Sequence, residues 1–153
     1  MTPAVRWLKA QGVPFELHPF DADGQSGYAQ AAAAGMGVSA ERVFKTLMVQ
    51  SDQGLACMMV PAHRTLNLKR AAKTLGAKRA QMASTEEAER VSGYRVGGIS
   101  AFGQKRPCPQ WIDASAFEFE RVYLSAGQRG LDLSLDPKDL EALGIQSALL
   151  TDL

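Results

Sequence analysis

The apolar run Val43–Val49 places the strongest constraint on how this chain can fold. β-Branched and aromatic residues dominate the run, and it is too short for a stable isolated helix. The polar segment 51–54, which reads Ser-Asp-Gln-Gly, has the composition of a turn, and a second apolar run, Leu55–Val60, follows it directly. The pattern therefore predicts a β-hairpin in which residues 43–49 form the first strand.

One charged residue, Lys45, interrupts the first apolar run. Because side chains alternate between the two faces of a strand, Lys45 shares a face with Val43, Leu47 and Val49. Burial of an unpaired ammonium group is unfavourable, so a lysine in this position needs compensation. Either its aliphatic stem packs while the ammonium group reaches water, or the ammonium group lies in a cleft where it binds an anionic or carbonyl group.

The length and charge of the chain limit the classes of protein to which it can belong. Its 153 residues fit one domain with a full hydrophobic core, so we expect residues 1–153 to form a single unit. The formal net charge is +1, which indicates that any site for a polyanion must be a local patch. No apolar run approaches the roughly 18 residues that a membrane span needs, and the first residues lack the pattern of an export signal. We therefore expect a cytoplasmic protein without membrane association.

Short strands and irregularly spaced helices are predicted along the rest of the chain. Capping residues, alanine content and terminal glycines predict a polar loop at 21–27 and helices at 2–12, 28–34, 67–76 and 84–93. The last third predicts a glycine-bearing turn at 125–130, a helix over 136–143, and strands at 110–112, 119–124, 131–135 and 145–150. This irregular alternation favours a mixed sheet in an α+β domain over a doubly wound fold.

A glycine-rich segment spans residues 93–105, in which four of thirteen residues are glycine. Its centre reads Gly97-Gly98-Ile99-Ser100. Glycines let a ligand approach main-chain N–H groups, which suits the binding of an oxyanion or a carbonyl group. The same pattern is typical of a tight turn or a strand bulge, and it matches neither the P-loop nor the dinucleotide fingerprint. Spacing alone leaves both interpretations open.

The helix predicted over 67–76 has a basic outer face. Lys69, Arg70 and Lys73 lie opposite its apolar side. These three residues form either a patch that binds a polyanion or an ordinary solvated face, and the sequence does not decide between the two.

Metal and thiol chemistry are not favoured by the spacing of the candidate residues. His18, His63, Cys57 and Cys108 are scattered singly, so we expect neither a metal nor another cofactor. Cys57 lies inside an apolar run and Cys108 stands between two prolines, which argues against a cysteine–histidine nucleophile pair. Both cysteines are expected to be free thiols.

Four blocks of the sequence, taken in order, resemble the YbaK family. They are Val43-Phe44-Lys45-Thr46-Leu47, residues 68–78, Gly93-Tyr94-Arg95-Val96-Gly97-Gly98-Ile99-Ser100, and residues 125–132. The opening Met1-Thr2-Pro3-Ala4-Val5 matches as well, so the resemblance covers nearly the whole chain. Members of this family resemble the editing domain inserted into bacterial prolyl-tRNA synthetases. The resemblance implies a mixed, barrel-like sheet with flanking helices, and hydrolysis of the aminoacyl ester of a mischarged tRNA.

The resemblance also implies site residues. Lys45 matches the family lysine, and Asp132 matches the acidic residue after the second glycine turn, so both are expected to be catalytic. The residues expected to bind substrate are Phe20, Thr46, Gly97, Gly98, Ile99, Ser100, Ser125 and Gly127. Two positions depart from the family pattern: Phe20 stands where a tyrosine is common, and Ala101 stands where a proline is usual, which predicts a looser loop.

The expected substrate is tRNA(Pro) charged with cysteine, and prolyl-tRNA synthetase is a possible partner. In this branch of the family the proposed route is substrate-assisted, because the thiol of the bound cysteine attacks its own ester carbonyl, so no protein nucleophile is required. Lys69, Arg70 and Lys73 are the expected tRNA contacts, and the protein is expected to be a monomer or a weak dimer. The alternatives are editing of another small amino acid, such as alanine on tRNA(Pro), and a non-catalytic module that binds tRNA or a synthetase.

Overall fold

The computed structural model describes residues 1–21 and 28–152. The predicted polar loop at 21–27 therefore lies outside the described residues, apart from Asp21. The helices are α1 (Pro3–Gln11), α2 (Tyr28–Met36), α3 (Leu68–Leu75) and α4 (Thr85–Ser92). The strands are β1 (Glu16–Pro19), β2 (Phe44–Ser51), β3 (Gly54–Pro61), β4 (Ala80–Met82), β5 (Gln110–Asp113), β6 (Val122–Gln128), β7 (Leu131–Leu135) and β8 (Ile145–Ala148). None of these helices has the length and apolar composition of a membrane span.

The strands form two sheets, which confirms the predicted α+β class with a mixed sheet. Three strands are ordered β1-β7-β6, and five are ordered β4-β2-β3-β5-β8. Within the larger sheet, β2 and β3 are antiparallel, whereas β3, β5 and β8 are parallel. A single parallel bridge between Val43 and Tyr123 joins the two sheets. In the described part of the chain the sheets do not close, so the barrel-like arrangement that we expected is not a closed barrel.

The hairpin predicted from the two apolar runs forms the centre of the larger sheet. Its register pairs Lys45 with Val60 and Ser51 with Gly54. The Ser51 hydroxyl donates to the Gly54 carbonyl over 2.9 Å and accepts from the Gln53 N–H over 3.0 Å, which holds the turn. Nearly all of β3 is buried, because strands flank it on both sides and side chains cover both faces.

The two faces of β2 contact different parts of the core. Phe44 and Met48 belong to the main apolar cluster. On the opposite face, Val43 packs with α2, and Val49 packs beneath α3 in a separate cluster. Lys45 therefore lies between the region covered by α2 and the region covered by α3.

Some local predictions in the last third of the chain were wrong. Residues 125–128 continue β6 instead of forming a turn, because alternate residues of that strand remain in the core and a bulge near Gly127 absorbs the extra length. The segment 136–143 forms two short 3-10 helices, Pro137–Asp139 and Glu141–Leu143, because a segment this short gains too little from packing two buried residues, Pro137 and Leu140, to form an α-helix. Strand β4 was not predicted, since it has three residues and is largely exposed.

Candidate functional site

A cavity of about 440 Å³ opens where β2 and β6 separate. The bridge at Val43 holds the two strands together at one end. At the other end β2 pairs with β4 from Val49 onward, and the Ala83 N–H donates to the Met48 carbonyl over 2.9 Å. Residues 44–48 of β2 lie between these attachments and line the cavity. The remaining wall comes from α2, α4, the glycine-rich loop and the hairpin of β6 and β7.

Lys45, Ser125 and Asp132 form the polar part of one cavity wall. Ser125 and Asp132 are direct partners in the ladder between β6 and β7. Lys45 follows Val43 by two residues, and Ser125 follows Tyr123 by two, so both lie on the face defined by the Val43–Tyr123 bridge. The pairing of three strands thus brings together residues that are far apart in the sequence.

The two ionisable groups of this wall have shifted pKa values. Partial burial lowers the pKa of Lys45, and burial raises the pKa of Asp132 to about 7. Asp132 is only 6% exposed. Neither side chain has a hydrogen-bond or ion-pair partner among residues 1–21 and 28–152. Both groups are therefore desolvated without compensation, which is the condition in which a ligand of complementary charge binds most favourably.

The hydroxyl groups of Ser125 and Thr46 also belong to the cavity wall. The Ser125 oxygen accepts the Gly127 N–H over 3.1 Å, which leaves the Ser125 O–H able to donate to a ligand. Thr46 Oγ1 is buried and has no partner within the described residues. An unpaired buried hydroxyl is unfavourable, so Thr46 is a candidate for direct contact with a ligand.

The glycine-rich loop contributes Gly97 and Ile99 to the cavity wall. Gly97 has a φ of 97°, a conformation that favours glycine. Gly98 packs against the turn between β6 and β7, where a Cβ atom would lie 2.8 Å from the Arg129 nitrogen. Ser100 is fully buried beneath the loop, and its hydroxyl oxygen accepts the Phe102 N–H over 3.1 Å. Gly98 and Ser100 thus shape the loop from behind the wall.

Gly127 also supports the site from outside the cavity. Its φ is 95°, and a Cβ atom at this position would lie 2.6 Å from the ring of Tyr94. Phe20, by contrast, lines the cavity directly. Of the predicted substrate-binding residues, the structure therefore places five on the wall, Phe20, Thr46, Gly97, Ile99 and Ser125, and three behind it, Gly98, Ser100 and Gly127.

Two glutamine side chains hold the glycine-rich loop. The Gln104 amide donates to the Ser100 carbonyl over 2.9 Å, and the Gln110 amide donates to the Ala101 carbonyl over 2.6 Å. These contacts fix the backbone at the position where a proline is usual in the family. The looseness that Ala101 predicts is therefore offset by two side-chain hydrogen bonds.

The basic face of α3 does not line the cavity. Lys69, Arg70 and Lys73 are all exposed, and Arg70 forms an ion pair with Asp152 at 3.3 Å. The structure thus keeps the three basic residues together on one surface, apart from the cavity wall.

The cysteines also lie away from the cavity wall. Cys57 is fully buried, and burial raises the pKa of its thiol as well as that of Cys108. Among the described residues, no group of three metal-ligating side chains is present.

Sequence reasoning missed several residues of the cavity wall. Thr85 at the start of α4 and Gln128 at the end of β6 supply polar groups, and Leu47 and Met48 supply apolar surface. Thr85 follows the N-cap Ser84, and the capping pattern of this segment gives no indication that Thr85 lines a cavity. Gln128 lies within the predicted turn at 125–130, whose composition predicts a backbone conformation and no role for a side chain.

The fold and the cavity define a small α+β domain with a cavity between its two sheets. Residues 25–143 match the family model of the aminoacyl-tRNA editing domain. A protein of Enterococcus faecalis, provisionally named Cys-tRNA(Pro)/Cys-tRNA(Cys) deacylase EbsC, is 30% identical over 143 residues, which cover 93% of this chain and 87% of that protein. The chain therefore belongs to the aminoacyl-tRNA editing domain family, the YbaK-type family that its sequence resembles.

A further relative and one solved structure are also similar to this chain. A proline–tRNA ligase of Shouchella clausii is 33% identical over 99 residues, which cover 65% of this chain and 17% of the ligase. A crystal structure described provisionally as a trans-editing enzyme for prolyl-tRNA synthetase superposes with a TM-score of 0.87 at 23% identity, covering 100% of this chain and 99% of that one, and this likeness shows the fold. Membership of an editing family implies hydrolytic deacylation of aminoacyl-tRNA.

Proposed function

We propose that the chain is a trans-editing deacylase that removes cysteine from mischarged Cys-tRNA(Pro). The observation that carries the proposal is that Lys45 and Asp132 line one cavity and lack partners among the described residues. An aminoacyl ester has a carbonyl oxygen that becomes negatively charged during attack, and an α-ammonium group. A cation and a buried carboxyl group in one cavity complement these two features. The relative named for Cys-tRNA(Pro) and Cys-tRNA(Cys) supports the choice of cysteine.

The proposed route uses the thiol of the substrate as the nucleophile. Among the described residues, the cavity wall includes no cysteine or histidine. The substrate sulfur attacks the ester carbonyl carbon, a C–S bond forms, and the bond between that carbon and the terminal ribose oxygen breaks. The proton of the thiol passes to the leaving oxygen. The products are a cyclic thioester of cysteine and the free tRNA 3′ end, and water then hydrolyses the thioester to cysteine.

In this route the protein acts by positioning and electrostatics. The Lys45 ammonium group stabilises the developing oxyanion, and the hydroxyl groups of Thr46 and Ser125 donate hydrogen bonds in the same region. The Asp132 carboxylate binds the α-ammonium group and so orients the thiol toward the carbonyl carbon. The tRNA body lies over Lys69, Arg70 and Lys73 on α3, and prolyl-tRNA synthetase is the candidate partner that delivers the mischarged tRNA.

A comparison of four aminoacyl esters on the same tRNA tests the proposal. The protein is incubated with Cys-tRNA(Pro), Ser-tRNA(Pro), Ala-tRNA(Pro) and Pro-tRNA(Pro), and the loss of each ester is followed with and without prolyl-tRNA synthetase. We expect rapid loss of the cysteinyl ester alone. Serine is the matched control, because it replaces the sulfur with oxygen and keeps the size.

Other outcomes would point to other functions. Equal cleavage of the cysteinyl and seryl esters would reject a role for the substrate thiol. Preferred cleavage of the alanyl ester would assign the protein to editing of alanine. No cleavage above the rate in buffer, with the synthetase present, would favour a binding module.

A further inference from the structure

A second group of donors lies beside the cavity, on the face of the smaller sheet that carries Asp132. Arg42, Arg121, His18 and Tyr123 form this group, which we call the basic ledge. The Arg42 guanidinium group lies over the Tyr123 ring, 5.6 Å from its centroid, and the His18 ring lies 5.1 Å from the same ring. None of the four residues was assigned a role in substrate binding by the sequence.

The ledge is continuous with the cavity. Tyr123 is the bridge partner of Val43, and two residues further along each strand lie Ser125 and Lys45. At a rise of about 3.3 Å per residue, the Tyr123 position is about 7 Å from the polar wall. His18 is the ladder partner of Asp132, which places the other end of the ledge next to the same wall.

Hydrogen bonds fix the orientation of the Arg121 and His18 side chains in the ledge. Arg121 donates to the Ser134 hydroxyl oxygen over 3.1 and 3.3 Å and to the Ser134 carbonyl over 3.1 Å. The Ser134 hydroxyl group also forms a hydrogen bond with His18 Nε2, 2.8 Å away. The other ring nitrogen of His18, Nδ1, has no hydrogen-bond partner among the described residues.

The positive charge of the ledge is poorly neutralised. Within the described part of the chain, the Arg42 side chain makes one hydrogen bond, from Nη2 to the Arg121 carbonyl over 3.4 Å, and its buried Nε has no acceptor. Arg121 lies 3.8 Å from Glu16, whose side chain is 68% exposed. The ledge therefore carries two guanidinium groups, an imidazole ring and a phenol beside two carboxyl groups, those of Glu16 and the buried Asp132. The unpaired donors of its arginines suit a ligand that has acceptors and a negative charge.

We propose that the basic ledge binds the phosphodiester group on the 5′ side of the terminal nucleotide of the tRNA. This inference rests on the proposed function, because the aminoacyl ester at Lys45 sets the position of the terminal ribose. The Tyr123 position lies about 7 Å along the strand from the polar wall. The 5′ phosphate is the anionic group of the terminal nucleotide nearest to the ester, so it can reach the ledge when the ester carbonyl meets Lys45.

The basic face of α3 is less suited to this phosphate. α3 packs over the part of β2 that contains Val49, whereas the ledge adjoins the opposite end of the strand at Val43. Arg70 on α3 is also paired with Asp152. The two basic surfaces thus lie at opposite ends of β2, and they contact different parts of one tRNA: the ledge contacts the single-stranded 3′ end, and α3 contacts the body.

Binding of short oligonucleotides tests the ledge without requiring catalysis. The probe is the uncharged trinucleotide CCA, compared with a CCA in which a neutral methylphosphonate replaces the last phosphodiester group. We expect the wild-type protein to bind the charged probe about fivefold more tightly, the size of one partly exposed charge-assisted hydrogen bond. Arg42→Gln should abolish this difference and flatten the slope of log affinity against log salt by about 0.7.

The matched control is Arg6→Gln. Arg6 is an exposed arginine on α1 whose guanidinium group, like that of Arg42, donates to a main-chain carbonyl, here that of Met1 over 2.7 Å. Arg6→Gln should keep the fivefold difference. The ledge is rejected if the wild-type protein binds both probes equally, or if Arg42→Gln still distinguishes them. If the wild-type protein distinguishes the probes but deacylates no aminoacyl-tRNA, the ledge is supported as a phosphate site and the proposed function is rejected.

Discussion

Asp132 lies directly opposite Ser125 in the ladder between β6 and β7, and both side chains line the cavity. Ser125 is a neutral donor, and it does not neutralise a carboxylate. Burial therefore raises the pKa of Asp132 from 3.8 to about 7, so protonation of this residue is coupled to folding near neutral pH.

The first prediction concerns the stability of Asp132→Asn. Because the pKa of Asp132 is higher in the folded state, the folded protein favours the protonated carboxyl group. This contribution to stability is fully present below about pH 4 and is lost as the pH rises through about 7. The difference between the two pKa values corresponds to about 4 kcal/mol when Asp132 is ionised. Asparagine has a similar shape and no charge, so the variant should match the wild type near pH 4 and be more stable above pH 7.

Urea denaturation of both proteins between pH 4 and pH 8.5 measures this effect. The difference between the two free energies of unfolding cancels the contributions of other titrating groups. A difference that stays constant across this range would mean that Asp132 does not titrate in it.

The second prediction concerns Lys45→Ala. Loss of one well-placed oxyanion contact costs on the order of 3 kcal/mol, so kcat/KM for deacylation should fall by about a hundredfold. Because partial burial disfavours the Lys45 ammonium group, the melting temperature should stay the same or rise. Lys9→Ala, a change at an exposed lysine on α1, is the control. Unchanged deacylation by Lys45→Ala would remove this residue from the site.

The third prediction concerns the hydrogen bond between Gln104 and the Ser100 carbonyl. Gln104→Ala should lower the free energy of unfolding by about 1 kcal/mol and also lower kcat, because the glycine-rich loop loses one of its two glutamine contacts. Gln50→Ala is a matched control, since the Gln50 amide also donates to a main-chain carbonyl, that of Ser51 over 3.0 Å, outside the cavity. If both variants lose stability and keep full activity, the Gln104 contact has no role in positioning the loop.

The parts of the structure that the sequence predicted correctly depend on local patterns. The β2–β3 hairpin follows from two apolar runs and a polar turn. The isolated charge of Lys45 left open whether its ammonium group reaches water or lies in a cleft. The cavity itself depends on the bridge between Val43 and Tyr123, which are 80 positions apart, and no local pattern contains that contact. The same limit explains the wrong turn prediction at the end of β6. Its glycine and serine favour a turn locally, but pairing with β7 keeps these residues in the strand.

The fourth prediction concerns the two cysteines. Cys57→Ser and Cys108→Ser should both keep deacylation activity, because neither residue lines the cavity. Cys57→Ser should lower the free energy of unfolding by about 1–3 kcal/mol, since it places a hydroxyl group in a fully buried position. Cys108 is partly exposed, so its replacement should cost less. A folded variant that has lost turnover would indicate a protein nucleophile and contradict the substrate-assisted route.

The fifth prediction concerns the basic face of α3. Lys69→Glu combined with Lys73→Glu should raise KM for full-length charged tRNA and flatten its salt dependence, because contacts between lysines and phosphates release counterions. Arg70 is left unchanged in this variant, since its pairing with Asp152 would confuse a loss of charge with a loss of structure. Cleavage of a short aminoacylated 3′-end fragment should change little, because α3 lies apart from the cavity wall.

The comparison between full-length tRNA and the fragment separates the possible roles of α3. Lys9→Glu on α1 controls for the change in net charge and should leave both substrates unaffected. An equal loss on both substrates would mean that α3 supports the shape of the cavity, since its residue Ala71 packs with Val49 of β2. No loss on either substrate would reject α3 as a tRNA contact and shift capture of the tRNA body to Lys105 and Arg106 or to a synthetase partner.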